Sequence, residues 1–187
     1  MSNYRNGNYC AFYVKEPFNQ TNLGANACHD FDVYRMLQAW AEKYEEFSFC
    51  DSHDKTYNVR DDSDWETTLK PRLRERLRNS KNIVFILSSN TINSRALREE
   101  LDYGINTLKL PVIVIYRDYD NNDDIRENGH LTDKIKKLWD SVPVFRDSKK
   151  NVHVVHVPYK KDLIQKALNN SDCSVLTMGD TGDFFYK

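Results

Sequence analysis

Two short runs of unbroken apolar residues limit what this chain can become. Ile83-Val84-Phe85-Ile86-Leu87 stops abruptly at Ser88-Ser89-Asn90, and Pro111 opens Val112-Ile113-Val114-Ile115-Tyr116. Both are rich in β-branched residues, both are too short for buried helices, and neither alternates with polar residues. They therefore read as strands covered on both faces, the environment of a parallel sheet sandwiched between helices. Weaker extended segments run from Tyr9 to Val14, from Phe47 to Cys50 and from Val152 to Val157, and the five expected strand starts lie 29 to 41 residues apart. Each gap has room for a crossover helix. The pattern predicts an α/β fold: a flavodoxin-like three-layer sandwich with a central five-stranded parallel sheet in the order 2-1-3-4-5, its two apolar strands near the centre. A chain of 187 residues suits one such domain, here residues 1–171, followed by a tail over 172–187.

The helices show as apolar stripes. Val33, Met36, Leu37, Trp40 and Tyr44 mark one that begins at His29 or Asp30, and Trp65, Leu69, Leu73 and Leu77 mark a second. Ser63 and Glu66 have capping-box spacing there, and Pro71 predicts a kink or a fresh helix start near Thr68. The alternating Lys70, Arg72, Arg74, Arg76 and Arg78 cannot share a helix face and read as a solvated exterior. Ser94 opens a third helix, with Leu97, Leu101, Ile105 and Leu108 three or four residues apart. A helix over Leu131–Trp139, an extended piece over Val142–Phe145 and a final helix with Pro158 in its first turn complete the reading.

Composition excludes several classes. Lys and Arg number 27 against 28 Asp and Glu, so the basic footprint of a nucleic-acid binder is missing. No apolar run reaches transmembrane length, and the amino terminus lacks the apolar core of a signal peptide. A cytoplasmic protein with no membrane partner is expected. Cys10, Cys28, Cys50 and Cys173 lack metal-ligand spacing, the acidic stretch Asp118–Asn128 lacks the pattern of a calcium loop, and His153 and His156 fall on opposite faces of a strand. No metal site is expected. No glycine-rich phosphate loop or dinucleotide fingerprint occurs either.

The expected strand order places the topological switch between the first and third strands, where open α/β sheets bind ligands beyond their carboxyl ends. Tyr13 and Lys15 end the first strand, offering a ring to stack and a cation for a phosphate. Asp51 and His53 follow the second strand, and Ser88 follows the third, where it could bond a phosphate or a ribose. Glu100 lies on the next helix. On an ideal helix Glu100 falls at the edge of the apolar stripe and Glu99 falls opposite it, toward solvent. The helix dipole also favours acidic residues near an N-terminus, so spacing alone leaves the role of Glu100 open.

The segment LSSNTINSRALREELDYGI resembles the third-strand and following-helix region of TIR domains, where S-x-W-C-x-x-E-L carries the catalytic glutamate of the NAD-cleaving members. On that pattern Ser94 matches the serine, Leu97 the cysteine, Glu100 the glutamate and Leu101 the leucine, while Ala96 stands in place of the tryptophan. Residues 9–168 are similar to the ThsB-like TIR proteins of the Thoeris anti-phage defence system. The resemblance implies an enzyme that needs no cofactor and takes NAD as its substrate. It would break the nicotinamide–ribose bond at Glu100 and make a cyclic ADP-ribose isomer, a diffusible signal for a ThsA-like effector. It further implies a phage-derived trigger and a homo-oligomer. Two alternatives stay open: a non-catalytic TIR-like adapter acting by self-association, and a nucleoside-deoxyribosyltransferase-like enzyme. A response-regulator receiver is excluded, because Ser88-Ser89-Asn90 stands where its phosphoacceptor aspartate would be.

Overall fold

The computed structural model of the chain describes residues 5–13, 29–53 and 64–186. The strands of its central sheet are β1 (Gly7–Ala11), β2 (Ser80–Leu87), β3 (Val112–Tyr116), β4 (His153–Pro158) and β5 (Gly182–Phe185). They form one sheet in that spatial order, with every neighbouring pair parallel. The two apolar runs are the inner strands β2 and β3, in register from Ile83 opposite Val112 to Leu87 opposite Tyr116, and all these side chains are buried. The main helices in chain order are α1 (His29–Lys43), α2 (Lys70–Arg78), α3 (Arg95–Leu101), α4 (Asp133–Trp139), α5 (Pro143–Ser148) and α6 (Lys161–Leu168). One core lies under α1 and α6, and the other under α2 to α5. The fold is therefore the expected flavodoxin-like three-layer α/β sandwich.

The sheet differs from expectation at both edges. Phe47–Cys50 occupies the expected place beside β1 but is not a strand; it pairs through a single parallel bridge, Asn8 to Asp51. Asn8 N–H donates to the Cys50 carbonyl (2.6 Å), Ser52 N–H donates to the Asn8 carbonyl (3.1 Å), and Cys50 N–H donates to the Asn8 side chain (2.8 Å). A side chain thus takes a bond that a second ladder rung would need. The chain still runs outward from β1 and returns to β2 on the other side, which preserves the switch point. The fifth strand comes instead from Gly182–Phe185, at the far edge beside β4.

Tertiary polar contacts secure that far strand. Trp139 Nε1–H donates to Tyr116 Oη (3.0 Å), Tyr116 Oη bonds His156 Nδ1 (2.7 Å), and His156 Nε2 bonds Asp183 Oδ1 (2.9 Å). Lys149 closes the chain with an ion pair to the second oxygen of Asp183. Other boundaries shift for local reasons. Val142 and Phe145, three residues apart and both buried, fit a helical turn, so the expected extended piece gives way to α5 with Pro143 in its first turn. Pro158 ends β4 opposite Tyr116, and the last helix starts at Lys161 rather than at the proline.

Two helices carry widened turns with i to i+5 bonding. Ser63 lies outside the described residues, and Asp64 caps its helix by accepting Thr67 N–H (2.8 Å). The turn Trp65–Leu69 follows, closed by Leu69 N–H to the Asp64 carbonyl (3.1 Å). The regular helix α2 then begins at Lys70 with Pro71 in its first turn, where a missing N–H costs nothing. This is the fresh start that Pro71 predicted, two residues late. The second widened turn, Asp102–Thr107, continues α3. Gly104 lies there, and a Cβ would sit 2.4 Å from Ile83 Cδ1, so the missing side chain lets the helix rest directly on β2.

Candidate active site

Ser94 begins the site by fixing where α3 starts: its Oγ accepts Leu97 N–H (3.2 Å). From that cap, Leu97 and Leu101 point into the core and Glu100 falls at the margin of the buried face, as the periodicity requires. Glu100 meets β1 there. Tyr9, 1% exposed, donates its Oη–H to Glu100 Oε1 at 2.8 Å. Burial raises the Glu100 carboxyl to about 7, and the Tyr9 hydrogen bond and the field of Arg76 offset this only in part. Glu100 forms no ion pair among the described residues. Glu99 corrects the sequence reading: instead of facing solvent it is half-buried and paired with Arg74 at 2.6 Å. Arg74, on α2, also lies over the Tyr103 ring (4.5 Å), so α2 packs beside α3 and its widened continuation and the guanidinium reaches Glu99.

Tyr9 also joins Glu100 to the segment after the expected second strand. The His53 ring lies against the Tyr9 ring, with centroids 4.6 Å apart. Asp51 Oδ1 accepts His53 N–H (2.9 Å) and faces His53 Nδ1 at 3.1 Å. Asp51 Oδ2 accepts from Gln38 Nε2 (3.0 Å) and from the Tyr34 hydroxyl. Burial alone would raise the Asp51 carboxyl, but the bonds from His53 and Tyr34 outweigh it and hold it below the usual range. Burial pushes His53 down, against the pull of Asp51. Cys10, on the other face of β1, is buried, and its thiol is raised well above its ordinary value by burial and by Asp51, Glu100 and Asp30.

A second polar group closes the carboxyl end of β2. Ser88 is buried; its N–H bonds Thr91 Oγ1 (2.9 Å), and Thr91 Oγ1–H donates to Asp30 Oδ2 (3.0 Å) in the first turn of α1. Asp30 is 2% exposed and its carboxyl is raised, chiefly by burial. The structure thus unites Glu100, Asp51 and His53 around Tyr9, and places Ser88 in a separate loop-closing cluster. Tyr13 is half-buried against the core under α2 and α3. Lys15 lies outside the described residues. Sequence reasoning missed Tyr9, Tyr34, Gln38 and Asp30, whose strand and helix positions read as ordinary core or capping residues. The acidic stretch after Asp118 lies apart from this site and, with Tyr119, Arg126 and Lys134, lines an open cleft of about 740 Å³.

A family model described as the Thoeris protein ThsB, TIR-like domain, matches residues 9–122. The chain belongs to that family. The match runs from β1 through β3 and spans Tyr9, Tyr34, Asp51, His53, Ser88 and Glu100. This protein is therefore a TIR-like defence protein of the Thoeris type, and its candidate site lies inside the family-defining part of the TIR-like domain. No helix among its described residues is long and apolar enough to cross a membrane.

Proposed function

We propose that this TIR-like domain is an NAD-consuming signalling enzyme. It breaks the nicotinamide–ribose bond of NAD without an added cofactor and closes the product into a cyclic ADP-ribose isomer that activates a ThsA-like effector. The observation that best supports this reading is Glu100, held by Tyr9 and raised to about 7 by burial. Nicotinamide leaves a cationic pyridinium as a neutral molecule, so its departure needs no proton. Positive charge develops on the ribose, as in glycoside cleavage. A carboxylate that forms no ion pair among the described residues gains more from that developing cation than one already compensated. Its interaction is stronger in the transition state than in the ground state, which is what accelerates a reaction. The cationic substrate would itself favour the ionised form of Glu100. Tyr13 and Ser88, beyond the carboxyl ends of β1 and β2, complete the proposal as substrate contacts, together with Lys15. A phage-derived trigger, a homo-oligomer and a cytoplasmic setting belong to the same proposal.

Nucleotide analysis of infected cells tests it. NAD loss and a cyclic ADP-ribose species should appear with the natural protein and fall by ~100-fold or more with Glu100→Gln. Unchanged turnover by a folded Glu100→Gln protein would remove the assignment. Protection from phage with no nucleotide change in either protein would favour the adapter.

A further inference from the structure

We infer that Asp51 and His53 form the proton-accepting pair of the same reaction: His53 takes the proton from the oxygen nucleophile that attacks the anomeric carbon, and Asp51 holds the imidazole in the tautomer that can do so. The inference rests on the reading of Glu100 as the carboxylate beside the ribose.

The tautomer follows from the contacts. An ionised carboxylate only accepts, so the bond between Asp51 Oδ1 and His53 Nδ1 (3.1 Å) puts the ring proton on Nδ1 and leaves Nε2 as the basic nitrogen. This is the division of labour of a carboxylate-oriented imidazole base. Asp51 is itself fixed more firmly than its turn requires. The backbone bonds of Asn8 with Cys50 and Ser52 already dock the segment on β1, yet Tyr34 and Gln38, one turn apart on α1, both donate to Asp51. The pair is also joined to Glu100 through a single residue. One residue of β1, Tyr9, touches the His53 ring with its own ring (4.6 Å) and Glu100 with its hydroxyl (2.8 Å).

The chemistry needs one such group. The carbon–nitrogen bond breaks and its electron pair leaves with neutral nicotinamide, consuming no proton. A water or sugar hydroxyl then forms the new carbon–oxygen bond, and its proton passes to His53 Nε2, giving an imidazolium that Asp51 stabilises until the proton returns to water. A pyridine nucleophile has no proton to lose. Exchange of nicotinamide for a pyridine base should therefore require Glu100 but not the pair.

The test supplies the full-length protein with NAD and acetylpyridine and follows two products separately: the exchanged dinucleotide, and the sum of hydrolysed and cyclised ADP-ribose. His53→Gln should lower the second by ~100-fold and retain the first; Asp51→Asn should show the same selective loss, and Glu100→Gln should lose both. Equal loss of both products in a folded His53→Gln protein, or loss of neither, overturns the inference. If that variant fails to fold, Tyr34→Phe carries the test, because removing one donor from Asp51 should raise the ratio of exchange to oxygen attack; an unchanged ratio overturns it. A natural protein that forms neither product overturns the NAD reading, and the pair falls with it.

Discussion

At one edge of the sheet Tyr9, His53 and the carboxyl groups of Asp51 and Glu100 come together; at the other edge Tyr116, His156 and Asp183 do the same. The residue types match and the electrostatics do not. Asp183 accepts only, so the proton sits on His156 Nε2, Tyr116 must donate to Nδ1, and Trp139 donates to Tyr116. Lys149 supplies the cation at the end. Burial would raise Asp183, but His156 and Lys149 outweigh it and bring the carboxyl to about 2. Glu100 has a phenol where Asp183 has an ammonium, and it rises to about 7. A carboxylate answered by a cation fastens a strand. One without an ion pair among the described residues costs the fold stability and keeps its charge available for something that arrives later.

The comparison can be broken by measuring stability. Glu100 ionises at about 7 in the folded protein against an ordinary 4.5. Between these values the folded state holds more protons than the unfolded one, so stability falls as pH rises through that window and stays lowered above it. Glu100→Gln removes the loss. In urea titrations it should be the more stable protein at about pH 8, by up to ~3 kcal/mol, with no gain at about pH 4. Tyr116→Phe should act in the opposite direction, leaving the Trp139 and His156 nitrogens without their partner at a cost of about 2 kcal/mol, and on the proposed function any NAD turnover should stay unchanged. Asp183→Asn is the smallest change. Its side chain is 34% exposed, so water screens the pair and the loss at neutral pH should be about 1 kcal/mol. Because Asp183 is held low, its contribution is present above its ordinary value of 3.8 and is lost as pH falls toward about 2. The asparagine variant should therefore show a flatter acid-unfolding limb.

What could be read from the chain follows from the range of the forces involved. The inner strands were legible because burial on both faces leaves an unbroken apolar run. The placement of Glu100 was legible because Leu97 and Leu101 fix a helical phase. Other features depend on partners far along the chain. Glu99 meets Arg74 only because α2 lies beside α3. Gly182–Phe185 carries little strand signal of its own and becomes one through Asp183, which binds residues 27 and 34 positions earlier. Tyr9 was the largest omission, since a tyrosine in a buried strand looks like core until the partner of its hydroxyl is known.

The widened turn at Asp102–Thr107 divides one helix into two separately governed halves. The half before it carries Glu100 and is phased by the Ser94 cap and β1. The widened half is itself phased by Gly104 against Ile83 and by Asn106, which donates to Ser148 Oγ on α5 at 2.9 Å. An uninterrupted α-helix would transmit every repacking of its tail as a rotation of its head, whereas a looser turn can absorb such changes. Drift in the packing near Ile105 and Asn106 can therefore accumulate between related sequences while the carboxylate keeps its aim.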